Sequence, residues 1–253
     1  MPRGYPQHYR TTNRVSFPRD LTEADAVWWE NDIRTLTGVY PDGLPDFLAA
    51  GVPGTVTGCY TTFDSGAKVF ELNLSSKSEE GAEIAYKNKR FEVSGGLINN
   101  GETRVHPDWQ EQGIGTLLMM NLIDFGTALK AKRIDIEAQD VGRYAWLPMG
   151  FLPDRTSWKD RIAPRVGTFA TLQATLGTIT EAVRDEILDI TSHSDPRFAR
   201  ELVAFERFRI PGYDRKGREA DVSLTKAMMQ QPGTDWNGAF EFDEKSLEFF
   251  DGL

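Results

Sequence analysis

The segment that most limits how this chain can fold is residues 105–116, which reads VHPDWQEQGIGT. It follows an extended run and precedes a helical repeat, so the sequence predicts a strand, a tight turn and a helix that starts at once. Gly113 and Gly115 lie in this turn, and glycine lets a backbone come close to a ligand. The first amides of a helix lack intrahelical partners and lie at the positive end of its dipole. We therefore predict that the turn binds an anion such as a phosphate or pyrophosphate.

Two common phosphate-binding motifs do not fit this segment. A Walker A loop would place Gly-Lys-Ser/Thr at its end, and no lysine follows Gly115 directly. A dinucleotide-binding fingerprint would need a third glycine, which is missing here. The turn belongs to a different kind of anion site.

The residues after the turn predict a helix, a strand and a short closing segment. One helical face is formed by four apolar residues: Leu118, Leu122, Phe125 and Leu129. Residues 133–138, RIDIEA, alternate between polar and apolar, as in a strand with one buried face. The pair Gly150-Phe151 closes the segment.

In this context the turn resembles motif A of the GNAT superfamily of acyl-CoA-dependent N-acyltransferases, which reads Gln/Arg-x-x-Gly-x-Gly/Ala after a Val-x-Pro lead-in. Its defined positions and lead-in are filled by Gln110, Gly113, Gly115, Val105 and Pro107. The family's second helix ends in a Gly-Phe pair, and its pattern is filled by Gln139, Gly142, Trp146, Gly150 and Phe151. The resemblance is clear over 98–154 and loose over 57–165. The run Gly-Arg-Tyr-Ala-Trp at 142–146 and the tail Trp-Asn-Gly at 236–238 are similar to GNAT-like domains of phage and prophage proteins.

The resemblance implies an α+β fold with a central mixed sheet, a splayed strand before the turn and flanking helices. It also implies acetyl-CoA as the acyl donor, with its pantetheine amides on the strand backbone near Val105 and its pyrophosphate on the turn. The donor-binding residues implied are Val105, Gln110, Glu111, Gln112, Gly113, Ile114, Gly115 and Thr116.

The catalytic residues are where the chain departs from the family. Trp146 stands where a tyrosine usually protonates the leaving thiolate. Either Tyr144 substitutes for it, or the thiolate leaves without a protein acid, or the domain performs no catalysis. The candidates for a base near the strand are Glu92 and Glu102, with His106 and Asp108 as weaker ones.

Two functions follow from these residues. The first is an N-acyltransferase that moves an acetyl or short acyl group to an amine on a small molecule or a protein. The second is a catalytically weak CoA-binding, regulatory or protein-interaction module. The sequence names neither the acceptor nor the length of the acyl chain, because motif A contacts only the donor.

The rest of the chain predicts three parts. Residues 1–56 form an arm and a helical segment that starts at a capping box, Asp20 to Glu23. Residues 57–165 form the core, whose first two strands join in a hairpin at 64–66. Residues 166–253 form a mostly helical extension with a second capping box, Thr178 to Glu181, and a turn at 236–238, and its helices are a possible surface for a protein partner.

Composition limits the compartment and the partners. The net charge of −9 argues against general nucleic-acid binding, although the N-terminal arm holds Arg3, Tyr5, His8, Tyr9 and Arg10. No apolar run approaches the ~20 residues of a membrane span, and the N-terminus lacks a signal-peptide core, so we expect a cytoplasmic protein. Cys59 is the single cysteine and is predicted to be buried, and the three histidines are too scattered to predict a metal site.

Overall fold

The computed structural model describes residues 7–140, 142–213 and 218–251. Arg3 and Tyr5 of the predicted arm lie outside the described residues. The chain divides into two compact units, Met1–Asp135 and Ile136–Leu253, and the strand β6 (Arg133–Ala138) spans the division. Both units mix helices and strands, so the mixed α/β class is confirmed. The three-part division of the chain stays a prediction.

The first unit holds a sheet and the helices that cover one of its faces. Its strands are β1 (Val15–Ser16), β2 (Thr55–Asp64), β3 (Val69–Lys77), β4 (Glu83–Glu92) and β5 (Leu97–Val105). Its α-helices are α1 (Glu23–Trp29), α2 (Thr35–Thr37), α3 (Leu44–Leu48) and α4 (Ile114–Ala128). A π-helical turn, Glu30–Arg34, joins α1 to α2, and 3-10 turns lie at Gln7–Tyr9 and Pro107–Trp109.

The strands of this unit are ordered β1-β2-β3-β4-β5. The short β1 runs parallel to β2, and each later pair is antiparallel, so the sheet is mixed as predicted. The predicted hairpin between β2 and β3 is confirmed, and Asp64 Oδ1 accepts hydrogen bonds from the amides of Gly66 and Ala67 in its turn. Hairpins place consecutive strands side by side, which brings β4 and β5 against the start of α4.

An aromatic cluster fills the space between the sheet and the helices. Phe70 and Phe91, on neighbouring strands, stack with ring centroids 4.4 Å apart, and Phe125 of α4 contacts Phe91 edge-on at 5.6 Å. The predicted apolar face of α4 is buried at Leu118, Leu122, Phe125 and Leu129. Burying these large side chains fixes α4 across β4 and β5.

The start of α1 differs from the prediction by two residues. Thr22, rather than Asp20, is the N-cap, and it forms a capping box with Asp25. Asp25 is fully buried and accepts two hydrogen bonds from Arg19, at 2.6 and 3.1 Å. Arginine and the cap donors stabilise the buried carboxylate and hold its pKa well below the usual range, although burial alone would raise it. This ion pair selects Thr22 as the cap.

The second unit combines helices with short strands. Its helices are α5 (Gly142–Ala145), α6 (Ala163–Thr175), α7 (Glu181–Ser192), α8 (Leu224–Met229) and α9 (Glu244–Asp251), with a π-helical turn at Ser157–Ile162 and a 3-10 segment at Pro196–Arg207. Its strands are β7 (Leu152–Pro153), β8 (Arg209–Tyr213), β9 (Glu219–Ser223) and β10 (Trp236–Glu241). Strands β8 and β9 pair antiparallel, as do β7 and β10.

Two local predictions for this unit were wrong. The second capping box is replaced by Thr180, whose side chain accepts from the amide of Val183. The predicted turn at 236–238 is the start of β10, because the buried Trp236 indole donates to the carbonyl of Arg143 at 2.9 Å and holds this segment extended beside β7. Among the described residues, none of the helices has the length and apolar content that crossing a membrane requires.

Candidate functional site

The predicted anion turn links the end of β5 to the start of α4. The amide of His106 still bonds to the carbonyl of Ile84 on β4, at 2.9 Å, so the turn leaves the sheet directly after Val105. The Gln110 side chain folds back, and its Nε2 donates to the carbonyl of Val105 at 2.8 Å. Gln110 thus ties the turn to the end of the strand.

The turn reverses through two residues in the left-handed region. Glu111 has φ +66°, and Gly113, the N-cap of α4, has φ +75°. The first amide of α4 to bond along the helix is that of Leu117, which donates to the carbonyl of Gly113 at 2.9 Å. The amides of Ile114, Gly115 and Thr116 precede this bond and lie at the positive end of the helix dipole.

The two glycines serve different purposes. A Cβ added at Gly113 would meet nothing within 4 Å, so space does not require glycine there, whereas its φ of +75° does. A Cβ added at Gly115 would lie 4.0 Å from Val105 Cγ2, beside the end of β5. The outer side of the turn is therefore open to a ligand, and Gly115 keeps the side that faces β5 small.

Two acidic side chains lie in the turn, and both are exposed. Asp108 is 85% exposed, and its carboxylate lies 3.6 Å from Nδ1 of His106, which is also exposed. Glu111 is exposed as well. Because the carboxylates point into water, screening weakens their effect on a ligand at the helix start.

The two candidate bases lie at different points along β4 and β5. Glu102 is an exposed residue of β5 and pairs with Arg104, which also bonds Glu83. Glu92 pairs in register with Leu97 at the far end of β5 from Val105. Val105 lies eight positions beyond Leu97, about 27 Å along the strand at ~3.4 Å per residue. Of the two carboxylates, Glu102 is the nearer to the turn, and the roles of both stay predictions.

Tyr144 and Trp146, the residues that bear on the leaving thiolate, belong to the second unit. The Tyr144 ring lies under the ammonium of Lys226, 5.5 Å from its centroid. Trp146 packs on Phe151 with ring centroids 6.1 Å apart, and its Nε1 would lie 2.6 Å from a Cβ at Gly142. The absence of a side chain at Gly142 thus leaves room for the indole, which packs on Phe151 within this unit. The role of Tyr144 stays a prediction.

The middle of β5 carries a β-bulge that the sequence pattern did not predict. Lys87 of β4 faces Thr103, and Lys89 faces Asn100, so two residues of β5, Gly101 and Glu102, pass the single residue Asn88. A bulge bends its strand and changes the direction of the residues after it. Here it redirects the part of β5 that leads to the anion turn.

Sequence reasoning also missed two lysines of β4 that are buried beneath α4. Lys87 Nζ donates to the carbonyl of Leu118 in α4 at 2.5 Å. Burial lowers the pKa of Lys87 from its ordinary 10.5 to about 7. Burial and the neighbouring Lys87 together hold the pKa of Lys89 well below its ordinary value. The available signal was the two-residue period of β4, which places both lysines on the same face as the buried Ala85 and Phe91.

Three further predictions concern Cys59, a metal site and a surface for a protein partner. Cys59 is exposed rather than buried, because the alternation of β2 turns its neighbour Tyr60 into the core. Within residues 7–140, 142–213 and 218–251, no group of three or more His, Cys, Asp or Glu side chains is placed to hold a metal ion. A groove of about 790 Å³ lies along α6 and α7, beside the exposed Leu172 and Leu188, and its use by a protein partner stays a prediction.

Comparison with known proteins gives a partial likeness to a solved structure. No protein-family model matches the chain, and no curated protein matches it. The crystal structure of nourseothricin acetyltransferase is similar over 34% of this chain, with 14% identity and a TM-score of 0.29. The match spans 52% of that enzyme, about half its length. This structural neighbour is an acetyltransferase.

Proposed function

We propose that this chain is an N-acyltransferase that moves an acetyl or short acyl group from acyl-CoA to an amine. The observation that carries the proposal is the turn from β5 into α4, which combines the Gln110-x-x-Gly113-x-Gly115 motif with left-handed backbone at Gly113 and an open outer side. Membership of the GNAT superfamily, and its phage-type branch, are part of the proposal.

The residues of the turn fit the pyrophosphate group of an acyl-CoA donor. The amides before Leu117 would bind the pyrophosphate, and the small Gly115 lets it approach the end of β5. The backbone near Val105 would bond the pantetheine amides, with Gln110 fixing the end of the strand through its bond to the Val105 carbonyl. The bound donor would supply an activated thioester.

The chemistry requires the side chains to position the reactants and to carry out two proton transfers, one from the amine and one to the leaving thiolate. A neutral amine attacks the thioester carbonyl carbon, the C–N bond forms, the C–S bond breaks and CoA leaves as the thiol. Glu102 is our candidate base, because it is an exposed carboxylate on the strand that leads to the turn. Tyr144 is the candidate acid for the thiolate.

A turnover assay tests this proposal. The purified chain is mixed with acetyl-CoA and a panel of amines that includes small diamines, amino sugars and lysine peptides, and free thiol is followed over time. We expect thiol release that depends on one class of amine and yields the acetylated amine by mass spectrometry. Amine-independent release alone, or none from any amine, would contradict acyl transfer.

The second candidate function is a CoA-binding module with little catalysis, and Trp146 is the observation that favours it. Its indole is packed on Phe151 in the second unit, where the family places a tyrosine that donates a proton. In that case acetyl-CoA binds and thiol release stays at background. Trp146→Tyr separates the two, since a gain of activity would identify the indole as the defect.

A further inference from the structure

We infer that Lys89 is a positioning residue, which holds the bulge of β5 and thereby sets the strand backbone that leads to the anion turn. The inference rests on the proposed function for its link to donor binding. It assigns a role in the acyl-donor site to a side chain that is buried within the protein.

The geometry at Lys89 is that of a clamp across two strands. Its Nζ lies 2.8 Å from the carbonyl oxygen of Asn88 on β4 and 3.2 Å from that of Glu102 on β5. It also lies 2.9 Å from Oγ1 of Thr103, which in turn donates to Oδ1 of Asn100 at 3.3 Å. All of these oxygens belong to residues at or beside the bulge.

A bulge interrupts the regular ladder of backbone hydrogen bonds, and buried carbonyls need other donors. The Lys89 amine supplies donors to one carbonyl on each strand. An ammonium donates three hydrogen bonds and a neutral amine two, so the amine can bridge the strands in either protonation state. Burying an amine is costly, which indicates that these contacts do more than fill space.

Gly101 completes the bulge from the opposite face of the sheet. A Cβ at Gly101 would approach Oδ1 of Asn88 to 2.7 Å and its carbonyl oxygen to 3.3 Å. The Asn88 side chain is itself held by a bond to Glu71 at 3.2 Å. The bulge is therefore fixed from both faces, by the close approach of Gly101 on one and by Lys89 on the other.

Lys87 provides an internal control for this inference. It lies two residues away on the same strand and is as deeply buried, but its amine bonds to the carbonyl of Leu118 in α4 rather than to an oxygen of the bulge. Lys87→Met and Lys89→Met thus remove the same group from the same face. Only the second removes the clamp.

The test measures donor binding and strand dynamics in these two variants. The dissociation constant of acetyl-CoA is measured by calorimetry, and amide hydrogen exchange is followed over residues 101–105. We expect Lys89→Met to weaken acetyl-CoA binding about tenfold, the equivalent of one lost hydrogen bond, and to speed exchange over this stretch. Lys87→Met should leave acetyl-CoA binding close to that of the unaltered protein and should not speed the exchange.

Thr103→Val is the milder variant in case Lys89→Met does not fold. It removes one oxygen of the clamp without changing the size of the side chain, and it should shift both measurements in the same direction by a smaller factor. Equal effects of Lys87→Met and Lys89→Met, or unchanged binding and exchange in Thr103→Val, would overturn the inference. If the unaltered protein binds no acetyl-CoA, the proposed function fails, and the exchange comparison alone decides the role of Lys89 at the bulge.

Discussion

The anion turn and the buried lysine pair are two groups of N–H donors beside the first turns of α4, and they differ in what they can bind. The turn presents backbone amides on its open outer side, ahead of the first intrahelical bond at Leu117. Lys87 and Lys89 are almost fully buried, and their amines bond to oxygens of the chain itself. The first group is therefore available to a ligand, whereas the second can only hold protein against protein.

This difference shows that ligand binding and structural support are carried out by different groups of donors in the candidate site. Binding an anion needs donors that are fixed but unoccupied, and a helix start provides them without a charged side chain. Holding β4, β5 and α4 in register needs donors that reach across elements, which long side chains provide. We expect substitutions in the turn to change donor binding and substitutions at Lys87 to change stability.

The largest expected effect is on stability, at Lys87. Its folded-state pKa of about 7 lies below its ordinary 10.5, so between these values the unfolded chain binds a proton that the folded chain does not. Lys87 therefore lowers the free energy of unfolding most below pH 7. This penalty disappears as the pH rises to about 10.5, a gain of as much as ~5 kcal/mol at 1.36 kcal/mol per pKa unit. Lys87→Met should stabilise the protein at pH 7 by roughly 3 kcal/mol after the loss of one hydrogen bond, and should flatten this pH dependence.

Urea unfolding between pH 6 and pH 10 checks this expectation. Lys77→Met is the matched control, because Lys77 is an exposed residue of the neighbouring strand β3. A Lys87→Met variant that is less stable than the unaltered protein at pH 7 would show that the hydrogen bond to Leu118 outweighs the cost of burying the amine, and would contradict this prediction.

The second effect concerns Glu102, the candidate base on β5. If it is the base, Glu102→Gln should lower kcat by about 10²-fold while changing KM for acetyl-CoA little. Glu83→Gln is the control, since Glu83 shares the same partner, Arg104, at 2.9 Å. Steady-state kinetics with Glu92→Gln measured alongside would show which carboxylate acts, and a larger loss in Glu92→Gln would move the role to Glu92.

The smallest effect is expected in the turn. Gly113→Ala forces a side chain into φ +75°, at a cost of about 1 kcal/mol, and the shift of the helix start should weaken acetyl-CoA binding about tenfold. Gly177→Ala matches it, because Gly177 has φ +71° and nothing within 4 Å of an added Cβ. Equal binding by the two variants would mean that the turn does not hold the donor.

The turn could be predicted from sequence and the clamp could not, for a physical reason. Gly113, Gly115 and the apolar face of α4 are local signals, and the structure places them as predicted. The bulge depends on the register between β4 and β5, which no short stretch of sequence encodes. The lysines were missed because their residue type predicts exposure, although their strand period places them with Phe91.

The segment 236–238 in the second unit shows the same limit of sequence-based prediction. Trp236-Asn237-Gly238 has the composition of a turn, yet the indole bond to the Arg143 carbonyl makes it a strand. That partner lies far away in the sequence, so tertiary contacts override the local preference. The roles of Glu92, Glu102 and Tyr144 stay predictions for a related reason, since a role in catalysis depends on where the donor lies.

The most direct test of the central claim compares acetyl-CoA with S-acetylpantetheine, which keeps the thioester and lacks the pyrophosphate and nucleotide. Both are titrated calorimetrically into the unaltered protein. Our account predicts that acetyl-CoA binds and that S-acetylpantetheine binds at least about a hundredfold more weakly, because the turn holds the pyrophosphate. Equal affinity for the two compounds, or no binding of acetyl-CoA, would contradict a donor site at this turn.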